Sequence, residues 1–224
     1  MDKYKLVNRN VYLKNKYKKS FESNGYSPEA VLWTKEKQFI RFENLINSFS
    51  IEGKSILDIG CGFGDLNKLL KEQNNNYNYC GLDIVEEFIN VAEKKYGNSH
   101  VKFECCDFLN KDFDEKYDYI VESGIFNIKS SEIDNLELIH NTIEKAMDMC
   151  KEAIAFNFLT ERVNFKDKDF YYVNPEKILN IAYKYSKKVV LKSDYLPFDY
   201  TVVIYKNDSY DQTGIFNTLR NRRV

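Results

Sequence analysis

From residue 50 onward, short apolar runs alternate with stretches in which apolar residues recur every three to four positions. The runs lie near 54–59, 77–82, 101–105, 117–122 and 152–158, and the helix-period stretches lie near 64–73, 85–96 and 131–149. Strands that alternate with helices are typical of a parallel sheet that is covered on both faces. The pattern therefore predicts a doubly wound α/β fold.

The last part of the pattern predicts a different connection. A helix near 175–186 is followed by two β-like runs, Lys188 to Lys192 and Tyr200 to Tyr205, which a short loop containing Pro197 joins. A connection that short permits only a hairpin. We therefore expect the seventh strand to run antiparallel to the sixth in an otherwise parallel sheet.

The residues before the sheet predict an N-terminal helical arm over residues 1–50. Residues 28–49 follow the pattern of one long helix, with Pro28 in its first turn and Ser27 as a candidate cap. Residues 1–26 carry seven Lys/Arg against two Asp/Glu, with tyrosines interleaved. The arm over residues 1–50 is expected to fold over the site as a lid. A main domain over 51–206 and a tail over 207–224 are expected to follow it.

Charge and cysteine usage narrow the classes of partner. The net charge of −1 gives no overall attraction to nucleic acid or to an anionic membrane. No apolar run approaches the ~20 residues of a membrane span, and the first residues are too charged for a signal peptide. The five cysteines form no C-x-x-C pair, which argues against a metal site. We expect a cytoplasmic protein, monomeric or homodimeric, that binds neither nucleic acid nor membrane.

The first predicted strand contains Asp58 and ends in the loop Gly60-Cys61-Gly62-Phe63-Gly64. Alternating glycines allow a sharp turn and a close approach of a ligand to the main chain. Dinucleotide enzymes carry G-x-G-x-x-G, whereas here the third glycine comes one residue early and Asp65 takes its place. A carboxylate there would oppose a pyrophosphate and favour a cationic ligand. Asp65 and the closing hairpin therefore disfavour an NAD-linked oxidoreductase.

Four motifs in order resemble those of the class I S-adenosylmethionine-dependent methyltransferases, over roughly residues 50–206. They are Leu57-Asp58-Ile59-Gly60-Cys61-Gly62-Phe63-Gly64, Gly81-Leu82-Asp83-Ile84, Cys106-Asp107-Phe108 and Tyr117-Asp118-Tyr119-Ile120-Val121-Glu122. The resemblance implies a Rossmann-like seven-stranded sheet with S-adenosylmethionine as cofactor and S-adenosylhomocysteine as product.

The resemblance also implies the cofactor-binding residues, which are Asp58, Gly60, Cys61, Gly62, Gly64, Asp83, Ile84, Asp107, Phe108 and Glu122. Asp83 is suited to accept hydrogen bonds from both ribose hydroxyls. Asp107 can accept from the adenine amino group. Ile84 and Phe108 can sandwich the adenine ring.

The amino-acid end of the cofactor is expected near Asp58 and Glu122, which would offset its positive charge. Arg41 and Tyr17 are candidates for contacting the cofactor's carboxylate or the substrate, and Arg41 is assigned to the cofactor. No catalytic residue is assigned, because no His-Asp pairing is visible in the sequence.

The acceptor is predicted mostly by exclusion. The fourth strand is followed by Ser123-Gly124-Ile125-Phe126-Asn127 rather than by the D/N-P-P-Y/F motif of enzymes that methylate nucleic-acid bases. A small molecule is therefore favoured. Its pocket should include the insertion from Leu159 to Asn174, with Arg162, Tyr171 and Tyr172 as candidate substrate residues. The basic, tyrosine-rich lid, the candidate arginines and the tyrosines of the insertion together suit an anionic acceptor. The oxygen of such an acceptor is already a nucleophile and needs no general base.

The leading hypothesis is methyl transfer to a small anionic metabolite, to oxygen rather than nitrogen. The alternative is a non-catalytic S-adenosylmethionine-binding sensor or scaffold. The Asn-, Lys- and Tyr-rich composition also resembles small bacterial methyltransferases of surface-polysaccharide gene clusters. That resemblance implies a phosphoramidate or sugar-linked intermediate of capsule biosynthesis as acceptor.

Overall fold

One sheet organises the described part of the chain, residues 2–32, 37–73 and 76–209, in the computed structural model. Its seven strands are β1 (Lys54–Ile59), β2 (Tyr77–Asp83), β3 (Val101–Cys105), β4 (Tyr117–Ser123), β5 (Cys150–Leu159), β6 (Val189–Lys192) and β7 (Asp199–Tyr205). Their order is β3-β2-β1-β4-β5-β7-β6. β1 to β5 pair in parallel, and β7 runs antiparallel to both β5 and β6. The predicted fold class and closing hairpin are confirmed.

The strand order reverses between β1 and β4, and this reversal places the site. Ile59 at the end of β1 pairs with Leu82 of β2 on one side and with Glu122 of β4 on the other. The loop after β1 therefore emerges between the carboxyl ends of two neighbouring strands. In open α/β sheets, ligands bind in the crevice that such a switch point creates.

Helices cover both faces of the sheet. They are α1 (Lys3–Asn24), α2 (Lys37–Ile46), α3 (Leu66–Gln73), α4 (Glu86–Tyr96), α5 (Asn135–Met149) and α6 (Pro175–Ala182). The inner face of α5 buries Leu138, Ile139, Ile143, Ala146 and Met147 in the same core cluster as Ile120 and Ile154 of the sheet. Phe42, Leu45, Leu66 and Leu70 of α2 and α3 belong to a second cluster, with Ile56 and Val121.

The prediction of one helix over 28–49 is wrong. A short 3-10 helix runs over Pro28–Val31, and Leu32 then adopts φ +62°, in the left-handed region. A non-glycine residue in that conformation ends a helix, since the chain turns away from the helical path. Pro28 occupies the first turn as predicted, whereas the Ser27 side chain makes no capping hydrogen bond.

α1 begins at a side-chain cap and ends at a glycine. Asp2 accepts hydrogen bonds from the N–H groups of Tyr4 and Lys5, and Gly25 at the other end has φ +61°. None of the helices in residues 2–32, 37–73 and 76–209 has the length and apolar character that crossing a bilayer would require. Residues 210–224, most of the predicted tail, lie outside the described residues.

A buried ion pair fixes α2 against the hairpin. Arg41 is 5% exposed, and its Nε and Nη2 donate to the two carboxylate oxygens of Asp199 at 2.6 and 2.9 Å. Such a two-point contact fixes orientation as well as distance. It joins α2 to the first residue of β7, 158 positions later in the chain.

Removing one member of this pair is expected to destabilise the protein more than removing both. Asp199→Ala leaves the buried guanidinium without its carboxylate and should cost about 3–5 kcal/mol of unfolding free energy. The double variant Arg41→Leu/Asp199→Leu should lose less, because apolar side chains replace both members of the buried pair. Urea unfolding followed by circular dichroism measures both; a double variant as unstable as Asp199→Ala would contradict the expectation.

Candidate functional site

The loop after β1 turns sharply over the end of β2. Gly60, Gly62 and Gly64 all have positive φ angles, of +76°, +55° and +72°. The N–H groups of Gly60 and Cys61 both donate to the carbonyl of Leu82, at 2.7 and 2.9 Å. The three glycines are therefore needed for a backbone path that other residues adopt only with strain.

The space around each glycine differs. A Cβ at Gly60 would overlap the side chain of Ile125, and one at Gly64 would lie 2.6 Å from the ring of Phe103. At Gly62 the nearest atom would be 3.4 Å away, an ordinary contact distance. Gly60 and Gly64 thus also serve close packing, while at Gly62 the positive φ angle is the main requirement for glycine.

The loop borders a cavity of about 130 Å³, named here the central cavity. Most of the cofactor residues predicted from the sequence line it, namely Asp58, Gly60, Cys61, Gly62, Asp83, Ile84, Asp107 and Phe108. Gly64, in the same loop as Gly60 and Gly62, and Glu122, near the end of β4, are not among the lining residues. The switch point therefore brings together side chains from the ends of β1, β2 and β3.

Asp83 holds the glycine loop and retains free acceptor positions. Its Oδ2 accepts from the N–H of Gly62 and its Oδ1 from the N–H of Val85, both at 2.9 Å. Burial raises the pKa of Asp83 to about 6. A carboxylate has about four lone-pair positions, so these two hydrogen bonds leave acceptor capacity for a hydroxyl group such as that of a ribose.

Asp58 and Glu122 are buried acids behind the loop. Asp58 Oδ2 accepts a hydrogen bond from the hydroxyl of Tyr79 at 2.6 Å, and burial raises the pKa of Asp58 to about 7. Glu122 Oε1 accepts from the N–H of Ile125 at 2.6 Å, and burial raises its pKa well above the ordinary value. A cation bound nearby would favour the ionised form of both groups.

One face of α1 forms the roof of the central cavity. Leu6, Arg9, Asn10, Leu13 and Tyr17 line it, and these positions follow the spacing of a single helical stripe. α1 thus covers this cavity, and its role as a lid stays a prediction. Sequence reasoning named Tyr17 and missed the two polar residues between the leucines. Polar residues embedded in an otherwise apolar stripe are the signal that could have identified them.

Asn10 connects the α1 roof to Asp107, which follows β3 on the other side of the central cavity. Its Nδ2 donates to Asp107 Oδ2 at 2.9 Å, and Asn110 Nδ2 donates to the same oxygen at 2.6 Å. Asp107 Oδ1 accepts from the N–H of Leu109 at 3.1 Å. Asp107 is thus oriented from both sides before any ligand binds.

Arg9 is a buried cation in this roof. It is 7% exposed, and its Nη2 donates to the carbonyl of Ile125 at 2.9 Å while Nη1 donates to Asn10 Oδ1 at 3.3 Å. Burial lowers the pKa of the guanidinium. Within the described ranges no carboxylate forms an ion pair with it. Its donors meet neutral acceptors only, which leaves its charge available to an anion.

Two further cavities adjoin the central one. The cationic cavity, about 320 Å³, is lined by residues that include Arg9, Lys16, Lys129, Lys168, Glu132 and Asp169. The aromatic cavity, about 390 Å³, is lined by residues that include Tyr17, Phe165, Phe170, Tyr172 and Phe198. Ile128 lines all three cavities, so the loop after β4 is where they meet.

The remaining predicted residues are dispersed. Arg41 is held by Asp199 and lines the aromatic cavity, not the central one, so the geometry does not support its assignment to the cofactor. Tyr172 lines the aromatic cavity. Arg162 is exposed and pairs with Glu176 at 2.8 Å. Tyr171 packs, half-buried, against the core and lines none of the three cavities.

The carboxylate of Asp65, which the sequence suggested would favour a cationic ligand, is bound by side chains of the protein itself. Its Oδ1 accepts from the hydroxyls of Tyr26 and Tyr96, at 2.6 and 2.9 Å, and from Lys95 Nζ at 3.0 Å. The cation beside it is therefore a lysine of α4. The acid ties the segment after α1 to the end of α4, which helps to hold the roof in place.

Comparisons with known proteins agree with this geometry. Residues 56–146 match the family model described as "Methyltransferase domain". Rv1506c, a protein of Mycobacterium tuberculosis strain H37Rv with a provisional methyltransferase name, is 31% identical over 176 residues, which are 75% of this chain and 99% of that protein.

Two solved structures share the fold. One is N-methyltransferase NodS of Bradyrhizobium japonicum WM9 in complex with S-adenosyl-L-homocysteine, with a TM-score of 0.61 and 14% identity over 85% of this chain and 98% of that one. The other is magnesium protoporphyrin IX methyltransferase ChlM of Synechocystis PCC 6803 with bound SAM, with a TM-score of 0.60 and 16% identity over 87% and 97%.

The buried acids predict how cofactor affinity depends on pH. A cationic ligand requires ionised carboxylates, and the pKa values of Asp83 and Asp58 are raised to about 6 and about 7. Binding S-adenosylmethionine below pH 6 must therefore displace protons, and affinity should fall about tenfold or more between pH 8 and pH 5.5. Isothermal titration measures this dependence.

S-adenosylhomocysteine, which lacks the sulfonium charge, should show a shallower dependence and serves as the control ligand. Asp83→Asn should make the curve for S-adenosylmethionine shallower without abolishing it, since Asp58 still titrates, while Glu104→Gln on the exposed end of β3 should leave it unchanged. Equal affinities at both pH values would show that the buried acids do not respond to the ligand's charge.

Proposed function

The chain belongs to the class I S-adenosylmethionine-dependent methyltransferases, and from this premise we propose that it methylates an oxygen of a small, anionic metabolite. Family membership rests on the full-length relative, the matching domain model and the strand order. Nothing in the geometry of the three cavities among the described residues favours the alternative of a non-catalytic sensor.

The described residues fit the cofactor of this family. Asp58, Asp83 and Asp107 line the central cavity, against one described lining cation, Arg9, so acidic groups outnumber basic ones there. This balance suits a ligand that carries a sulfonium and an ammonium group. Asp83 and Asp107 present carboxylate oxygens for hydroxyl and amino donors, and Ile84 and Phe108 present apolar surface.

Arg9 is the observation that supports an anionic acceptor. A desolvated guanidinium is costly unless it is paired, and Arg9 meets a carbonyl and an amide oxygen rather than a carboxylate. It lines both the central and the cationic cavity. An acceptor with a phosphate or carboxylate group would supply the missing charge at the boundary between the two.

Lysines along the cationic cavity also favour an anionic acceptor. Lys16, Lys129 and Lys168 line it together with Glu132 and Asp169. With Arg9 included, the balance of lining charges is positive. A small anion entering through this cavity would meet an attractive potential before it reaches Arg9.

Methyl transfer to such an acceptor requires that the acceptor oxygen be aligned with the methyl group, more than it requires a general acid or base. Bound S-adenosylmethionine would supply an electrophilic methyl group on its sulfonium. The acceptor oxygen would donate an electron pair to that carbon as the carbon–sulfur bond breaks, and the bonding pair stays on sulfur as the neutral thioether. The protein's part is to hold the acceptor in line and to exclude water, and the α1 roof does both.

Oxygen is favoured over nitrogen for a physical reason. An anionic oxygen already carries the electron pair and has no proton to lose, whereas an ammonium acceptor must first be deprotonated. Neither histidine of the chain, His100 or His140, lines any of the three cavities. The capsule-biosynthesis hypothesis stays a prediction from the sequence.

Arg9 variants test the proposed acceptor. With phosphorylated sugars and nucleotide-linked sugars as the panel, Arg9→Gln should raise the acceptor KM about tenfold or more, since a hydrogen bond to a charged group is lost. Arg9→Lys should bring the acceptor KM part of the way back to the wild-type value. S-adenosylhomocysteine formation in initial-rate assays gives KM, and titration with S-adenosylhomocysteine checks that cofactor binding persists.

Lys102→Gln, on the edge strand β3, removes one positive charge far from the cavities and is the matched control. The proposal fails if wild-type enzyme and Arg9→Gln methylate a neutral acceptor equally well while no anionic member of the panel is turned over.

A further inference from the structure

The aromatic cavity is built from segments that the cofactor motifs do not include. Phe165, Phe170 and Tyr172 come from the insertion after β5, and Phe198 comes from the loop before β7. The rings of Phe165 and Phe198 lie 5.2 Å apart between centroids. Its volume of about 390 Å³ lies in the range of small-molecule sites.

Backbone hydrogen bonds fix these walls. The N–H of Tyr171 donates to the carbonyl of Asn127 at 2.8 Å, and the N–H of Lys129 donates to the carbonyl of Asp169 at 2.9 Å. A β-bridge between Ile128 and Phe170 lies between these two contacts. The insertion is thus joined to the loop after β4, and the cavity is a formed feature rather than a gap between loose loops.

Asn127 is a lining residue of this cavity whose buried side-chain amide forms no hydrogen bond within the described part of the chain. It is 3% exposed and lines the cavity, yet its Oδ1 and Nδ2 have no hydrogen-bond partner among residues 2–32, 37–73 and 76–209. Its backbone is fully engaged, since its N–H donates to the carbonyl of Gly124 at 3.2 Å. A buried amide without partners is costly, so its retention calls for an explanation, and a ligand that pairs with it at a functional site is one.

We propose that the aromatic cavity holds the methyl acceptor and that Asn127 binds it through both atoms of its side-chain amide. Nδ2 would donate to an oxygen of the acceptor, and Oδ1 would accept from an N–H or O–H group beside it. The acceptor class is thereby a molecule with a flat, ring-sized apolar body and an amide-like polar edge. This inference rests on the proposed methyl transfer, and it does not depend on the anionic group at Arg9.

The position of Asn127 suits a residue that orients the acceptor. Gly124, which accepts its N–H, lines both the central and the aromatic cavity, as do Tyr17, Val31 and Ile128. A polar edge bound at Asn127 therefore lies beside the boundary that the methyl group must cross. We class Asn127 as a recognition residue for the acceptor.

Three probes test the chemistry in the protein saturated with S-adenosylhomocysteine. Benzamide has a ring and an amide edge, acetophenone has the same shape without the N–H donors, and isobutyramide has the amide without the ring. Wild-type protein should bind benzamide about tenfold more tightly than either analogue, because each analogue loses a hydrogen bond or the ring contact. Isothermal titration or ligand-observed NMR gives the affinities.

Asn127→Leu separates ligand binding from a structural role. It should lose the preference for benzamide, keep its affinity for S-adenosylhomocysteine, and raise the Tm of the ligand-free protein by about 2–4 °C, because an unpaired buried amide is removed. Asn90→Leu, on the exposed face of α4, is the matched control and should change none of the affinities.

The outcomes are distinct. A lowered Tm with unchanged benzamide binding would make Asn127 a structural residue and overturn the inference, as would wild-type protein that binds no benzamide or does not distinguish it from acetophenone. Failure of wild-type protein to bind S-adenosylhomocysteine would instead overturn the proposed function, and this inference with it.

Discussion

Closure of α1 over the carboxyl ends of the strands is the interaction on which the site depends. Leu6 and Leu13 pack into the roof, and Asn10 reaches down to Asp107. Without this helix, the ends of β1 to β3 would face water. With it, Asp58 and Asp83 are desolvated enough for their pKa values to rise to about 7 and about 6.

Desolvation has opposite consequences for the acids and for Arg9, and both favour ligand binding. The acids raise the free energy of the ligand-free fold near neutral pH, because their ionised forms are poorly solvated, and a cationic cofactor relieves that cost. Arg9 in the same roof forms no ion pair with a carboxylate of the described residues, which suits the proposed anionic acceptor. Under the proposed function, these buried charges would be complementary to a cationic cofactor and an anionic acceptor, although their burial is unfavourable for stability.

Local patterns were sufficient to predict the sheet, the hairpin and the acids at the strand ends, because a strand end and its following residue are adjacent in sequence. The errors arose where contacts are distant. The carboxylate of Asp65 was expected to favour a cationic ligand, yet its partners Tyr26 and Tyr96 lie 39 and 31 residues away. Arg41 meets Asp199 across 158 residues. The break at Leu32 depends on a backbone angle for which a leucine gives no signal.

The residues that identify the family and the residues that would select an acceptor lie mostly in different parts of the chain. The matched family model spans residues 56–146 and includes every acid of the central cavity. The residues that would select an acceptor lie mostly outside that span, in α1 and in the segments around Phe170 and Phe198. Asn127 lies within it, at the loop where the three cavities meet. Acceptor choice can therefore change through the roof and the insertion while the cofactor motifs and the sheet that carries them stay the same.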